Sequence, residues 1–141
     1  MAQCFVAGPL ETAILGEQVG QAAALKMCYA AWSKGSTALL CGILATAQQM
    51  GVGEALAQRW GRDDTGFDEQ AVRRARTVTA KAWRFAGEME EIAATFVEAG
   101  LPGGFHAAAA DLYRRLAGFK DATETPTIET VLAALVQGEA S

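Results

Sequence analysis

From about Gln18 to Met50, apolar residues fall at every angle of a helical period. Leu25, Met27, Cys28, Tyr29, Trp32, Leu39, Leu40, Ile43 and Leu44 leave no polar face. A helix apolar all round is expected to be buried all round, so this segment is predicted to be central. Gly51 is its stop, and Gly35 either sits within it or kinks it. Thirty-odd residues make about 45 Å, longer than a compact monomer of this size is wide, so a second copy is expected to cover part of it.

Beyond Gly51 the pattern stays helical. A short helix is expected over Gly53 to Arg59, closed by a polar loop at Gly61 to Gly66. Asp68 is then read as the cap of a long helical pattern reaching Ala99, broken near Trp83 to Gly87 and ended by Gly100-Leu101-Pro102. Another helix spans about Gly104 to Phe119, and Thr125-Pro126 reads as a cap and first-turn proline for a last helix to Gln137. The only strand-like piece is Cys4 to Ala7, cut off by Gly8-Pro9. The class is all-α with five or six helices: a short lead-in over 1–17 and a helical domain over 18–137, with a long central helix packed by four or five shorter ones.

Composition excludes several functions. With 51% hydrophobic and 20% charged residues, the 141-residue chain can build a core. A net charge of −4 argues against a nucleic-acid partner, which needs clustered cations. Arg73, Arg74, Arg76, Lys81 and Arg84 come nearest to a basic patch and read as a solvated face followed by Glu88, Glu90 and Glu91. Cys4, Cys28 and Cys41 show no C-x-x-C spacing, so neither a disulfide framework nor a metal site is expected. A basic leader is missing from the first residues, and Ala38 to Ala47 is about half a membrane span, so a cytoplasmic protein without membrane contact is expected.

Phosphate-cradling motifs do not occur. Gly51-Val52-Gly53 begins like a dinucleotide turn but follows a helix, with Leu56 where a third glycine belongs, and reads as a helix-to-helix turn. The single histidine, His106, reads as a partly exposed residue near a helix start. Glu88 and Glu91 share a face with Arg84 and Lys81; this is either a surface ladder of ion pairs or a polar wall facing a pocket.

Lys26 is the only ionisable side chain between Glu17 and Lys34, apart from the cysteine and tyrosine that follow it. Its helical neighbours, Val19, Ala22, Ala23, Tyr29, Ala30 and Ser33, are nearly all small. Such a lysine either borders a cavity reached by a ligand or snorkels to the surface.

The run from Gly20 through Lys26, followed by a long helix ending QQMGV, resembles the interdomain helix of the β-hydroxyacid dehydrogenases and 6-phosphogluconate dehydrogenase. The pieces ALKMCYAAWSKGSTALL, WRFAGEMEEIAATFVEAGLP and AAAADLYRRLA are similar, in that order, to one subfamily of NAD(P)-dependent oxidoreductases with a 6-phosphogluconate dehydrogenase-like C-terminal domain. The resemblance covers about Gly16 to Lys120.

What it implies is a helical domain that dimerises through its long helix and lines a substrate site. Lys26 falls on the general acid/base position, and burial among small apolar residues is expected to lower its pKa. Tyr29, Ser33, Arg84 and Glu88 are the candidate substrate-binding residues. The departures are Ala22 at the second glycine of the motif, Ala30 at the usual asparagine, and Ala7 at the serine of a V-S-G segment. The glycine-rich turn of a Rossmann domain is not in this sequence, so NAD(P) is implied only where such a domain or a separate nucleotide-binding subunit supplies it. The alternative is a free-standing helical dimer using the same inter-subunit pocket for a cofactor-independent isomerase, lyase or cyclase activity, or for binding a small molecule.

Overall fold

The computed structural model describes residues 19–138 and is all-α, with six α-helices and no strand among those residues. The strand-like piece Cys4 to Ala7 and the lead-in lie outside the described residues. The helices are α1 (Val19–Gln49), α2 (Gly53–Asp63), α3 (Phe67–Thr77), α4 (Ala82–Glu98), α5 (Gly104–Arg115) and α6 (Ile128–Gln137). Helix α1 packs against all five others, and α4 with α5 forms the most extensive pair.

Glycines end two of the helices as expected. After α1, Gly51 has φ +76°, its N–H bonds to the Gln48 carbonyl at 3.1 Å, and the Val52 N–H reaches the Ala47 carbonyl at 2.9 Å. This is the double hydrogen bond of a left-handed C-terminal cap. Gly100 repeats it after α4, with φ +91° and bonds from Gly100 to Val97 and from Leu101 to Phe96, both 2.9 Å. Gly35 does not interrupt α1, which runs unbroken through it. Its role is a close approach: a Cβ there would lie 2.7 Å from Nε2 of His106 on α5.

Five boundaries differ from the sequence expectation. The long pattern after the polar loop is two helices, parted by a 3₁₀ turn at Val78–Ala80 rather than near Trp83 to Gly87. The reason lies in Thr77-Val78-Thr79, where the hydroxyls bond back to the carbonyls of Arg73 (3.0 Å) and Arg76 (2.7 Å), competing with the helix ladder. Gly66, with φ +87°, takes the cap position, and Asp68 lies inside the first turn of α3. The cap of α6 is Thr127, whose side chain accepts from the Thr130 N–H at 3.2 Å. Pro126 therefore precedes the cap, and its carbonyl accepts from Arg76 Nε at 2.7 Å. Helix α2 continues to Asp63, and the end of the fifth element is a 3₁₀ turn at Ala117–Phe119.

The core lies on one side of α1. Ala38, Cys41 and Ala45 meet Phe85, Met89 and Ile92 of α4, Ala110 and Tyr113 of α5, and Val131 and Leu135 of α6. In α4 the buried positions 82, 85, 86, 89 and 92, and in α5 106, 109, 110 and 113, follow the three-and-four spacing of an amphipathic helix. Many of these residues are alanine, which lets backbones approach closely. Among the described residues, no helix is long and apolar enough to cross a membrane.

Burial of α1 is one-sided, contrary to the expectation for a helix apolar all round. Leu25, Tyr29, Trp32, Leu39 and Met50 are exposed within a single chain.

Candidate functional site

The polar residues of α1 cluster in a short run, Ser33-Lys34-Gly35-Ser36-Thr37, where the helix passes from exposed to buried. Helices α3, α4 and α5 each bring one partner to it. From α4, Glu88 Oε1 lies 2.5 Å from Lys34 Nζ. The same ammonium stands 4.5 Å from the centroid of the Phe85 ring, an added cation–π attraction. From α5, the Tyr113 hydroxyl donates to the Lys34 carbonyl at 2.5 Å, and its ring meets Phe85 edge-on at 5.6 Å. Arg74 comes from α3: Nη2 donates to Ser36 Oγ at 2.8 Å and to Thr37 Oγ1 at 2.5 Å, while Nε donates to Thr37 Oγ1 at 3.1 Å.

Beneath this cluster the environment is dry. Burial pushes the Cys41 thiol up to about 12, with Arg74 pulling the other way. Burial also raises the Tyr113 phenol, followed by the effect of Cys41, so both groups stay protonated and neutral. Glu88 and Lys34 are each about one-third exposed, which leaves Lys34 further N–H donors for an arriving carboxylate or carbonyl.

The residues singled out from the sequence are divided by this geometry. Ser33 and Glu88 join the cluster, Ser33 through its carbonyl, which accepts from Thr37 Oγ1 at 3.2 Å. Arg84 is exposed, with Cζ 5.7 Å from the Phe85 centroid. Lys26 and Tyr29 stand one to two turns before the cluster on the exposed part of α1. The burial expected for Lys26 is therefore not met within one chain, because the core lies against the other side of this stretch, at Met27 and Ala30.

Lys34, Arg74 and Tyr113 were not singled out for the site. Their signal is faint: a polar S-K-G-S-T run in an otherwise apolar helix. Arg74 and Arg76 also depart from the solvated face expected of the basic residues, since both are half-buried and bonded to oxygens of other segments. His106 is buried rather than partly exposed. Its Nε2 lies 3.1 Å from the Ala31 carbonyl, its ring packs 4.9 Å from Phe96, and Nδ1 has no partner. Gly35 makes room for that ring.

Residues 47–116, just under half of the chain, match a family described as Domain of unknown function (DUF1932). That domain is the C-terminal helical domain found in 6-phosphogluconate dehydrogenase-like NAD(P)-binding proteins. The matched segment runs from the end of α1 through α5, taking in Arg74, Arg84, Glu88 and Tyr113 but not Lys26, Tyr29 or Ser33. No curated protein and no solved structure matches the chain.

Proposed function

We propose that this chain is the substrate-binding and dimerisation domain of an NAD(P)-dependent hydroxyacid dehydrogenase-like protein, with Lys26 as general acid/base at a substrate hydroxyl or carbonyl. The observation that carries the reading is the match of residues 47–116 to a helical domain found C-terminally in 6-phosphogluconate dehydrogenase-like proteins. The dinucleotide is bound by a Rossmann domain or separate subunit that supplies the hydride chemistry.

Two structural features support it. Lys26, Tyr29 and Ser33 lie along one side of α1, leading toward the Lys34–Glu88 pair, so a substrate carboxylate on Lys34 would extend toward Lys26. The positions Leu25, Tyr29, Trp32, Leu39, Ile43 and Met50 repeat at three-and-four spacing along the exposed face, the pattern of a helix that packs on another. A second copy seated there, together with the nucleotide domain, supplies the desolvation of Lys26 that one chain lacks.

The test combines the chain with a dinucleotide-binding domain and follows NAD(P)H formation over a panel of hydroxy acids. Lys26→Ala, with unchanged helix content and association state, is expected to lower turnover by about 10²–10⁴-fold. Unchanged turnover in that folded variant excludes the assignment. Micromolar binding of NADP(H) to the chain alone contradicts the division of labour.

A further inference from the structure

At the other end of α1, far from Lys26 and Lys34, helices α1, α2, α3 and α6 enclose a cleft of about 520 Å³. Its walls are apolar, formed by Leu44, Leu56, Trp60, Val72 and Leu132. The Trp60 ring is fixed edge-on against Phe67, with centroids 4.9 Å apart and planes at 87°. The volume is within the roughly 300–1,000 Å³ of small-molecule sites.

The rim is anionic. Asp68 and Glu69 come from the first turn of α3, and Glu129 from the first turn of α6. Both helix starts favour negative charge. Among the described residues, none of the three has a salt bridge or side-chain hydrogen bond, and no Lys, Arg or His lines the cleft. Of the five arginines on α2 and α3, three are engaged elsewhere, and Arg62 and Arg73 are exposed and do not line the cleft. Arg59 pairs with Asp63 at 3.6 Å, Arg74 lies on Ser36 and Thr37, and Arg76 donates to the Pro126 carbonyl. Three carboxylates over an apolar floor repel one another and any anionic ligand, and a cation with an apolar body relieves both the exposed floor and the rim repulsion.

We infer that this cleft binds a small organic ammonium ion with an aromatic or aliphatic body, ammonium at the Asp68–Glu69–Glu129 rim and body against Trp60 and Leu132. The site is separate from the proposed substrate site and does not depend on it.

The experiment titrates the full chain by calorimetry with three probes of similar shape: benzyltrimethylammonium, benzyl alcohol and phenylacetate. The cation is expected to bind one per chain, at least about tenfold tighter than the neutral alcohol, more weakly as ionic strength rises, and phenylacetate not at all. Amide shifts in NMR are expected at Leu56, Val72 and Leu132. A chain carrying Asp68→Asn, Glu69→Gln and Glu129→Gln, with unchanged circular dichroism, is expected to lose the tenfold preference, while Lys26→Ala keeps it. Equal binding of the alcohol, no binding of the cation, shifts confined to other helices, or capture of a basic peptide but not the small cation each overturns the assignment.

Discussion

The two halves of α1 have much the same composition and opposite surroundings. From Thr37 to Ala47 the helix contributes Ala38, Cys41 and Ala45 to the core and is gripped by α3, α4, α5 and α6. From Gly20 to Trp32 it carries Leu25, Tyr29 and Trp32 exposed, along with Lys26. Apolar residues of the inner half, Leu39 apart, have their partners within the chain, whereas in the outer half only Met27, Ala30 and Ala31 pack against the core and Leu25, Tyr29 and Trp32 do not. The first kind of residue sets folding stability, and the second is available for association and for a site completed by another surface.

That contrast predicts effects of very different size. Leu40 is 7% exposed in the inner half, and Leu40→Ala is expected to lower stability in urea by about 2–5 kcal/mol, through lost transfer energy and the cavity left behind. A loss near that of an exposed alanine substitution breaks the comparison.

A smaller effect is expected with pH. The Cys41 thiol is raised from 9.0 to about 12 in the folded chain, and Tyr113 is raised too. Groups raised on folding contribute stability that is complete below the unfolded value and lost as pH rises through the folded one. The urea midpoint should therefore hold up to about pH 9 and decline toward pH 12, with part of the slope absent in Cys41→Ala. The same contrast is visible at neutral pH, where a thiol reagent is expected to modify exposed Cys28 and to spare buried Cys41 until the chain unfolds.

Much of this division is not legible in the sequence. Hydrophobic period and the glycine stop locate the C-terminal end of α1 to within a residue, because both signals are local. Which side of α1 is covered depends on helices far along the chain, from α3 to α6, and a helix with apolar residues at every angle carries no directional signal of its own. The same holds for the site. Lys34 meets Glu88 across 54 positions and Tyr113 across 79, so spacing cannot join them. Lys26 is an isolated charge among alanines, whereas Lys34 sits beside serines and a threonine and carries no such contrast. Local competition is equally hidden: Thr77 and Thr79 divide α3 from α4 through side-chain bonds to the backbone, where propensity alone favours continuity.

The smallest effect on folding and the largest on assembly should come from the exposed stripe. Trp32 is 77% exposed, and Trp32→Glu is expected to change the stability of a single chain by less than about 0.5 kcal/mol. Sedimentation equilibrium of the wild type and this variant, over micromolar concentrations, tests the central claim directly. The account predicts a wild-type dimer and a Trp32→Glu monomer of unchanged helix content; a wild-type monomer across that range, or a variant that dimerises as tightly as the wild type, contradicts it.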